Sequence, residues 1–546
     1  MLHLVTFVFC LTYILPGFGN SDKPHPHIII IVADDLGWND VSIHGSSQIP
    51  TPNIDALGIH GIVLGRYYVT PLCTPSRSAL MTGRYPIHTG MQNDVLYASE
   101  PWGLPLSFPL LPEHLAGLGY SRHIVGKWHL GHFHRRYTPT FRGFQSHYGY
   151  WTGHEDYYDH TAQEGEYWGY DFRRNMTVDR KASGIYATDL LTNESLTIIR
   201  SHDPSAPLFL YIAHLGVHSG NPYQPLQAPS EYIKRFSHIK DIKRRTYAAM
   251  VTKVDESVGY VIEALHKKDM LRDAIILFST DNGGPAQGFN QNAASNWPLR
   301  GVKATLWEGG IRGVGLLWKA KLKKPGRVYP DLVHISDWLP TLYSAAGGNP
   351  MDLDAGIDGV DVWKALINNK SSPRREILHN IETSSGIYAS LMVDNWKLIT
   401  GEIYGGEWNG WYGPSGHEND TQSDHRDKFH STSLANQLLA RFRREKARHT
   451  EKQSLKRVKK GEVTCGPPPP HAMHNCQGGR RPCLFNVLND PCEYVNVASE
   501  QPDILAQLLR RLQHYNQTAV PPLRKPSDPR ANPIYWNYTW TNWMDY

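Results

Sequence analysis

The chain has 546 residues, 40% of them hydrophobic, and a formal net charge of +5. That is enough apolar material for a large core or more than one domain, and too weak a charge to call for a nucleic-acid partner. Beyond residue 19 no run approaches ~18 consecutive apolar residues, so no membrane span is expected.

Residues 1–19, MLHLVTFVFCLTYILPGFG, contain no Lys, Arg, Asp or Glu and close on Pro16 and small residues. They read as a secretory signal peptide cleaved near Gly19, which implies a lysosomal or extracellular destination. HIIIIVADD (27–35) is a short apolar run closed by Asp34 and Asp35. APLFLYIAH (206–214) and AIILFSTDNGG (274–284) repeat the form, the second closed by Asp281 and Asn282. Continuous Ile/Leu/Val runs of this length predict strands buried on both faces of a parallel sheet. LPEHLAGLGY (111–120) and the segment 244–270 predict helices between them, so the fold class is α/β, with helices covering a mostly parallel sheet.

Within PLCTPSRSALMTGRY (71–85), Pro75 suits the first turn of a helix that runs to a stop at Gly83. Cys73 then sits at the helix N-terminus with Arg77 one turn on, a place expected to bind an anion and lower the thiol pKa. QNDVLYASEPWGLPLSFP (92–109) lies close in sequence and is expected to shape a pocket there. Lys127 and His129 in GKWHLG are two apart, so an extended segment points both the same way. HYGYWTGHEDYYDH (147–160) suits either a sugar or aryl pocket or ordinary core packing. His214 reads as structural, while His218 follows a buried strand and Lys303 lies in LRGVKATLWEGG.

The composition changes near residue 370. IYASLMVDNWKLITG (387–401) predicts antiparallel strands, and EQPDILAQLLRRLQHYNQ (500–517) an amphipathic helix. We therefore expect a large α/β domain over 20–372 and a smaller α+β domain with an antiparallel sheet over 373–546. Residues 441–460 carry ten Lys/Arg against two Glu. They form either a solvated segment or a polyanion-binding patch. Cys465, Cys476, Cys483 and Cys492 cluster in this part, and short loops favour bridges 465–476 and 483–492, leaving Cys73 free. Sequons at Asn175, Asn193, Asn369, Asn419, Asn516 and Asn537 agree with the secretory route.

Three carboxylates and an amide at the carboxyl ends of buried strands would repel one another unless a cation sits between them. Oxygen-only donors suit Ca²⁺ or Mg²⁺. Alternatively, ADDLG and TDNGG are good turn sequences and the acids act as caps.

CTPSRSALMTGR resembles the sulfatase signature, whose core is Cys-x-Pro-Ser-Arg. ADDLGWNDV, PTPNIDALGIHGI, VGKWHLG, FSTDNGG and WPLRGVKATLWEGGIRG are similar, in the expected order, to the arylsulfatase B branch of that family. The resemblance spans nearly the whole chain and weakens after about residue 400. It implies an alkaline phosphatase-like fold and oxidation of Cys73 to formylglycine by the formylglycine-generating enzyme. One hydroxyl of the hydrated aldehyde attacks sulfur, and the second then allows sulfate to be expelled. It further implies one Ca²⁺ held by Asp34, Asp35, Asp281, Asn282 and an oxygen at position 73. Arg77 would orient the diol and His129 would take its second proton. Lys127, His218 and Lys303 would bind sulfate oxygens, with His218 or Lys303 protonating the leaving group.

The branch's vertebrate members carry disulfides just after the signature, and this chain has no cysteine between 74 and 464. That loosens the substrate expectation. Sulfated sugars, such as N-acetylgalactosamine 4-sulfate at a glycosaminoglycan end, stand first. Small sulfated metabolites such as plant glucosinolates are an alternative, and an unmodified, inactive homologue that binds polyanions through 441–460 is a reading of another class. A phosphatase or phosphodiesterase is disfavoured, because that branch of the superfamily commonly uses Ser or Thr as nucleophile.

Overall fold

The computed structural model describes residues 25–384, 386–416, 432–442 and 462–546. The expected leader, the sequon at Asn419 and residues 443–460 of the basic segment lie outside them.

Strands β1 (His27–Ala33), β2 (Ile62–Tyr68), β3 (Ser121–Lys127) and β4 (Ser146–Tyr150) come first, followed by a hairpin of β5 (Thr161–Glu164) and β6 (Tyr167–Tyr170). Then come β7 (Arg173–Arg174), β8 (Thr177–Val178), β9 (Leu208–Ala213), β10 (Ala274–Thr280), β11 (Gly315–Lys319) and β12 (Arg327–His334). All but the hairpin form one ten-stranded sheet in the order β12-β2-β11-β10-β1-β9-β3-β4-β7-β8. The centre, β10-β1-β9-β3-β4, is wholly parallel, while β11 and the short β7 and β8 pair antiparallel.

The alternation of side chains along β1 divides the core in two. Ile29 and Ile31 face the layer built by helices Ala187–Ser201 and Ile242–Lys267. Ile28, Ile30 and Val32 face the layer built by helices Cys73–Thr82, Leu111–Ala116 and Trp338–Ala345. Every β1 residue is buried, as its unbroken apolar run requires.

The second sheet is antiparallel, in the order β13 (Glu376–Glu382), β14 (Tyr388–Val393), β15 (Trp396–Thr400) and β16 (Cys483–Asn486). Leu508, Leu512 and Tyr515 of the amphipathic helix Pro502–Thr518 cover one face. The other face packs through Ile377, Met392 and Phe485 onto Tyr68 and Trp307 of the large unit.

Two features differ from the sequence expectation. The bridges are Cys465–Cys492 and Cys476–Cys483. The short-loop pairing 465–476 with 483–492 is wrong, because the 476–483 turn nests inside the longer loop and places Cys483 on β16. The chain after residue 373 also does not stay in the small unit. Helix Leu434–Ala440 packs into the large core with Leu57 and Val258. Residues 519–546 return along the large sheet's side: Val520 N–H donates to Ile87 O, Leu523 N–H to Gly90 O and Asp528 N–H to Ser99 O.

Candidate active site

The parallel centre of the sheet aims the ends of β1, β3, β9 and β10 at one point. Asp34 and Asp35 follow β1, Asp281 and Asn282 follow β10, Lys127 ends β3, and His218 lies on the loop after β9. Cys73 is the first residue of its helix, which closes on Gly83 in the left-handed conformation at φ 67°. Lys303 arrives on the loop before the short helix Glu308–Ile311.

Three carboxylates meet three cations here, all within 1% of full burial. Lys127 Nζ donates to Asp34 Oδ2 at 2.5 Å and Lys303 Nζ to Asp35 Oδ2 at 2.8 Å. Arg77 reaches Asp281 Oδ2 through Nε at 3.1 Å and Nη2 at 2.8 Å, and its Nη2 lies 3.5 Å from Asp34. Burial, then the charge of Asp34, pushes Asp281 up, and burial lifts Asp35 against the opposing charge of Lys303. Burial works against the charge on Lys303, but Asp35 holds it above its ordinary value. The charges balance, so a divalent cation would leave the pocket two units positive and ready for an anionic ester.

One atom points to such a cation. Asn282 Nδ2 donates to Asp35 Oδ1 at 2.7 Å, which leaves its Oδ1 buried with no hydrogen-bond partner. An orphan carbonyl beside three carboxylates is a donor set for a hard ion. Among the described residues, Asp34, Asp35, Cys73 and His218 also bring ligand atoms within 4.8 Å of one another. His218 was not among the residues the sequence suggested as ligands.

Cys73 is 1% exposed, with Sγ 3.7 Å from Asp34 Oδ1. The expectation of a lowered thiol pKa is wrong. Burial pushes it up to about 12, although Lys127 and Lys303 oppose the rise. Desolvation beside carboxylates outweighs the helix dipole.

The two histidines are fixed by their carbonyl partners. His129 Nε2 is 2.9 Å from Leu96 O, so Nε2 carries the proton and Nδ1 keeps a lone pair, buried and unpartnered. His218 Nδ1 is 2.6 Å from Ser219 O, which leaves Nε2 to accept from Lys303 Nζ at 3.3 Å. Burial holds both far below the usual histidine range; Lys127 adds to this at His129 and Lys303 at His218. His214 instead bonds Ser257 at 3.0 Å in the core.

A cavity of 210 Å³ opens onto Cys73, His129, His218 and Lys303. Val95, Leu96 and Tyr97 from the 92–109 segment form part of its wall, as do Phe289 and Asn290. Of the run 147–160 only Gly153 and His154 reach it; Tyr148, Tyr150, Trp151 and Tyr157 are core. His154, whose ring is 5.9 Å from that of His218, was missed in the sequence. Its place in an aromatic-rich stretch hid it.

A family model described as Sulfatase matches residues 26–348, more than half of the chain. Mouse arylsulfatase J is 38% identical over 551 aligned residues, covering 97% of this chain and 82% of that protein. Mouse N-acetylgalactosamine-6-sulfatase is 31% identical over 64% of this chain and 68% of its own length. The crystal structure of Ps i-CgsB superposes with a TM-score of 0.69 at 26% identity, covering 91% of this chain and 94% of that one. A hydrolase of sulfate esters is thus the class that the sheet, the buried charge array and these likenesses define together. The chain belongs to the sulfatase family, and it is an enzyme of the arylsulfatase type.

Proposed function

We propose that this chain hydrolyses the sulfate ester of a sulfated sugar, using Ca²⁺ and a formylglycine made from Cys73. The observation that carries this is the orphan Asn282 Oδ1 among Asp34, Asp35 and Asp281, next to a buried Cys73 that no other residue bridges. Asp34, Asp35, Asp281 and Asn282 would hold the ion. Bound there, Ca²⁺ and the hydrated aldehyde supply charge neutralisation and an oxygen nucleophile.

The chain's own groups complete the chemistry. Lys127, Lys303 and His218 bind sulfate oxygens. His129 Nδ1, the free lone pair, accepts a proton at position 73. Arg77 fixes Asp281 and orients the group at position 73. The Lys303–His218 pair protonates the leaving oxygen, with Lys303 Nζ the proton-bearing member in this arrangement.

A sugar substrate is supported by the relative named N-acetylgalactosamine-6-sulfatase. It is also supported by a solved structure of Ps i-CgsB with k-i-k-neocarrahexaose, 25% identical with a TM-score of 0.69. A terminal N-acetylgalactosamine 4-sulfate is the narrower proposal. Asn175, Asn193, Asn369, Asn516 and Asn537 are exposed. With two disulfides, they support a secretory route to the lysosome or the exterior, where the formylglycine-generating enzyme would act on the way. Among the described residues no helix is long and apolar enough to cross a membrane. We also propose that a second unit begins near residue 373 with the small sheet, while helix Leu434–Ala440 and residues 519–546 belong with the large one.

The test is the mass of the tryptic peptide 67–77 from protein secreted by a eukaryotic host, with turnover of an aryl sulfate measured before and after chelation. An aldehyde mass with chelator-sensitive turnover is expected. An intact thiol, with the modifying enzyme present and active, overturns the proposal.

A further inference from the structure

The 210 Å³ cavity is too small for more than the sulfated ring. It does not end there. Tyr97, Glu164 and Gly165 line both it and a second, more open cleft of 710 Å³. That cleft lies between the β5–β6 hairpin, the 97–100 turn and residues 524–527.

Its chemistry differs from that of the sulfate pocket. Glu100, Glu164 and Glu166 line it against Arg524 and Lys525. Arg524 is already occupied: Nη1 donates to Asp94 at 2.6 Å and Nε to Glu100 at 3.0 Å. Tyr97 and Tyr167 add partly exposed aromatic rings. Burial pushes Glu164 up to about 8, so at and below neutrality it is mainly the uncharged acid, which bonds a hydroxyl as donor or acceptor. Tyrosine faces and carboxyl acceptors suit the apolar face and the hydroxyls of an uncharged sugar. A further sulfate or uronic acid would meet the exposed carboxylate of Glu166, with Arg524 already paired and Lys525 the other charged group of the wall.

We propose that this cleft is a subsite for an uncharged, hydroxyl-bearing sugar joined to the sulfated unit, held by Glu164 and Tyr167, and that Glu166 selects against a polyanionic chain. The inference rests on the sulfatase reading of the adjoining pocket and narrows it, away from a chain end whose next unit is a uronic acid. Residues 524–527, far along the chain from the sulfate-binding groups, form one wall.

The experiment compares kcat/KM for two disaccharides that share one sulfated sugar, one with a neutral neighbour and one with a uronic acid neighbour. The neutral substrate should be favoured by roughly tenfold or more. Glu166→Lys should shrink that ratio by roughly tenfold. Tyr167→Ala should raise KM for the neutral disaccharide and leave KM for the sulfated monosaccharide near its starting value. Equal or better turnover of the charged substrate overturns the proposal, as does a ratio that Glu166→Lys leaves unmoved. Calorimetric binding of the desulfated neutral disaccharide to the full chain separates the two layers. Binding that Tyr167→Ala weakens supports the cleft even where turnover is absent, whereas no binding, with aryl sulfate still hydrolysed, sinks the cleft and spares the sulfatase reading.

Discussion

Lys397 offers a quantitative test of how the two sheets are joined. It is fully buried on β15, with Nζ 3.0 Å from Glu308 Oε1 and 2.8 Å from Glu493 Oε1. Glu493 Oε2 accepts from Glu308 N–H at 2.8 Å, and Tyr68 donates to Glu308 at 2.9 Å. Glu308 starts the short helix five residues after Lys303, so the cluster ties the small sheet to the loop that carries an active-site cation. Lys397→Met leaves two facing carboxylates without that ammonium, a loss of about 3–5 kcal/mol. Burial raises Glu493 to about 7, with Lys397 opposing and Glu308 adding to the rise. Its folded pKa lies above its unfolded value, so the folded state binds the extra proton, and Glu493's contribution to stability falls as pH rises through about 4.5 to 7. Without Lys397 this window extends upward. Urea unfolding followed by tryptophan fluorescence should therefore show a larger Lys397→Met penalty at neutral pH and above than in mild acid. Adding Glu493→Gln should recover part of it. A penalty below about 1 kcal/mol at neutral pH, or one that grows in acid, would refute the reasoning.

Other outcomes follow from the same geometry. Calcium should raise the melting temperature, with about 2.7 kcal/mol of stabilisation at a hundredfold excess over Kd; Asn282→Ala should weaken the shift, which scanning calorimetry with and without chelator reads. Lys303→Met should lower kcat by about 10²–10³, with Asp35 left facing no ammonium; an undiminished kcat on an aryl sulfate would remove Lys303 from the chemistry. Non-reducing peptide maps should link Cys465 to Cys492 and Cys476 to Cys483. Removing the longer bridge should cost about 3 kcal/mol and more than removing the shorter one, measured by denaturant unfolding.

The parallel centre of the fold was legible because HIIIIVA and AIILFST are buried on both faces, and such strands leave no polar alternation to misread. Asp34, Asp35, Asp281 and Asn282 were legible as a group because strand ends in one parallel sheet converge. What failed depended on contacts between distant segments. The cysteine pairing followed loop length in the sequence but β16 packing in the structure. The direction of the Cys73 shift follows from burial among carboxylates, which a helix start alone does not reveal. His154 and Glu164 acquire their places only when the 147–170 segment folds over the strand ends. Arg524 reaches the cleft by a return path that no local pattern announces.

That return path bears on the order in which the molecule is finished. Asp34, Cys73 and Lys303 leave the ribosome long before Arg524 and Trp540, whose Nε1 donates to Ala162 O within the hairpin that carries Glu164. A nascent chain halted after Lys303 holds every proposed sulfate-contacting residue but lacks one wall of the adjoining cleft. Selection among substrates would therefore be acquired later in synthesis than the reacting groups.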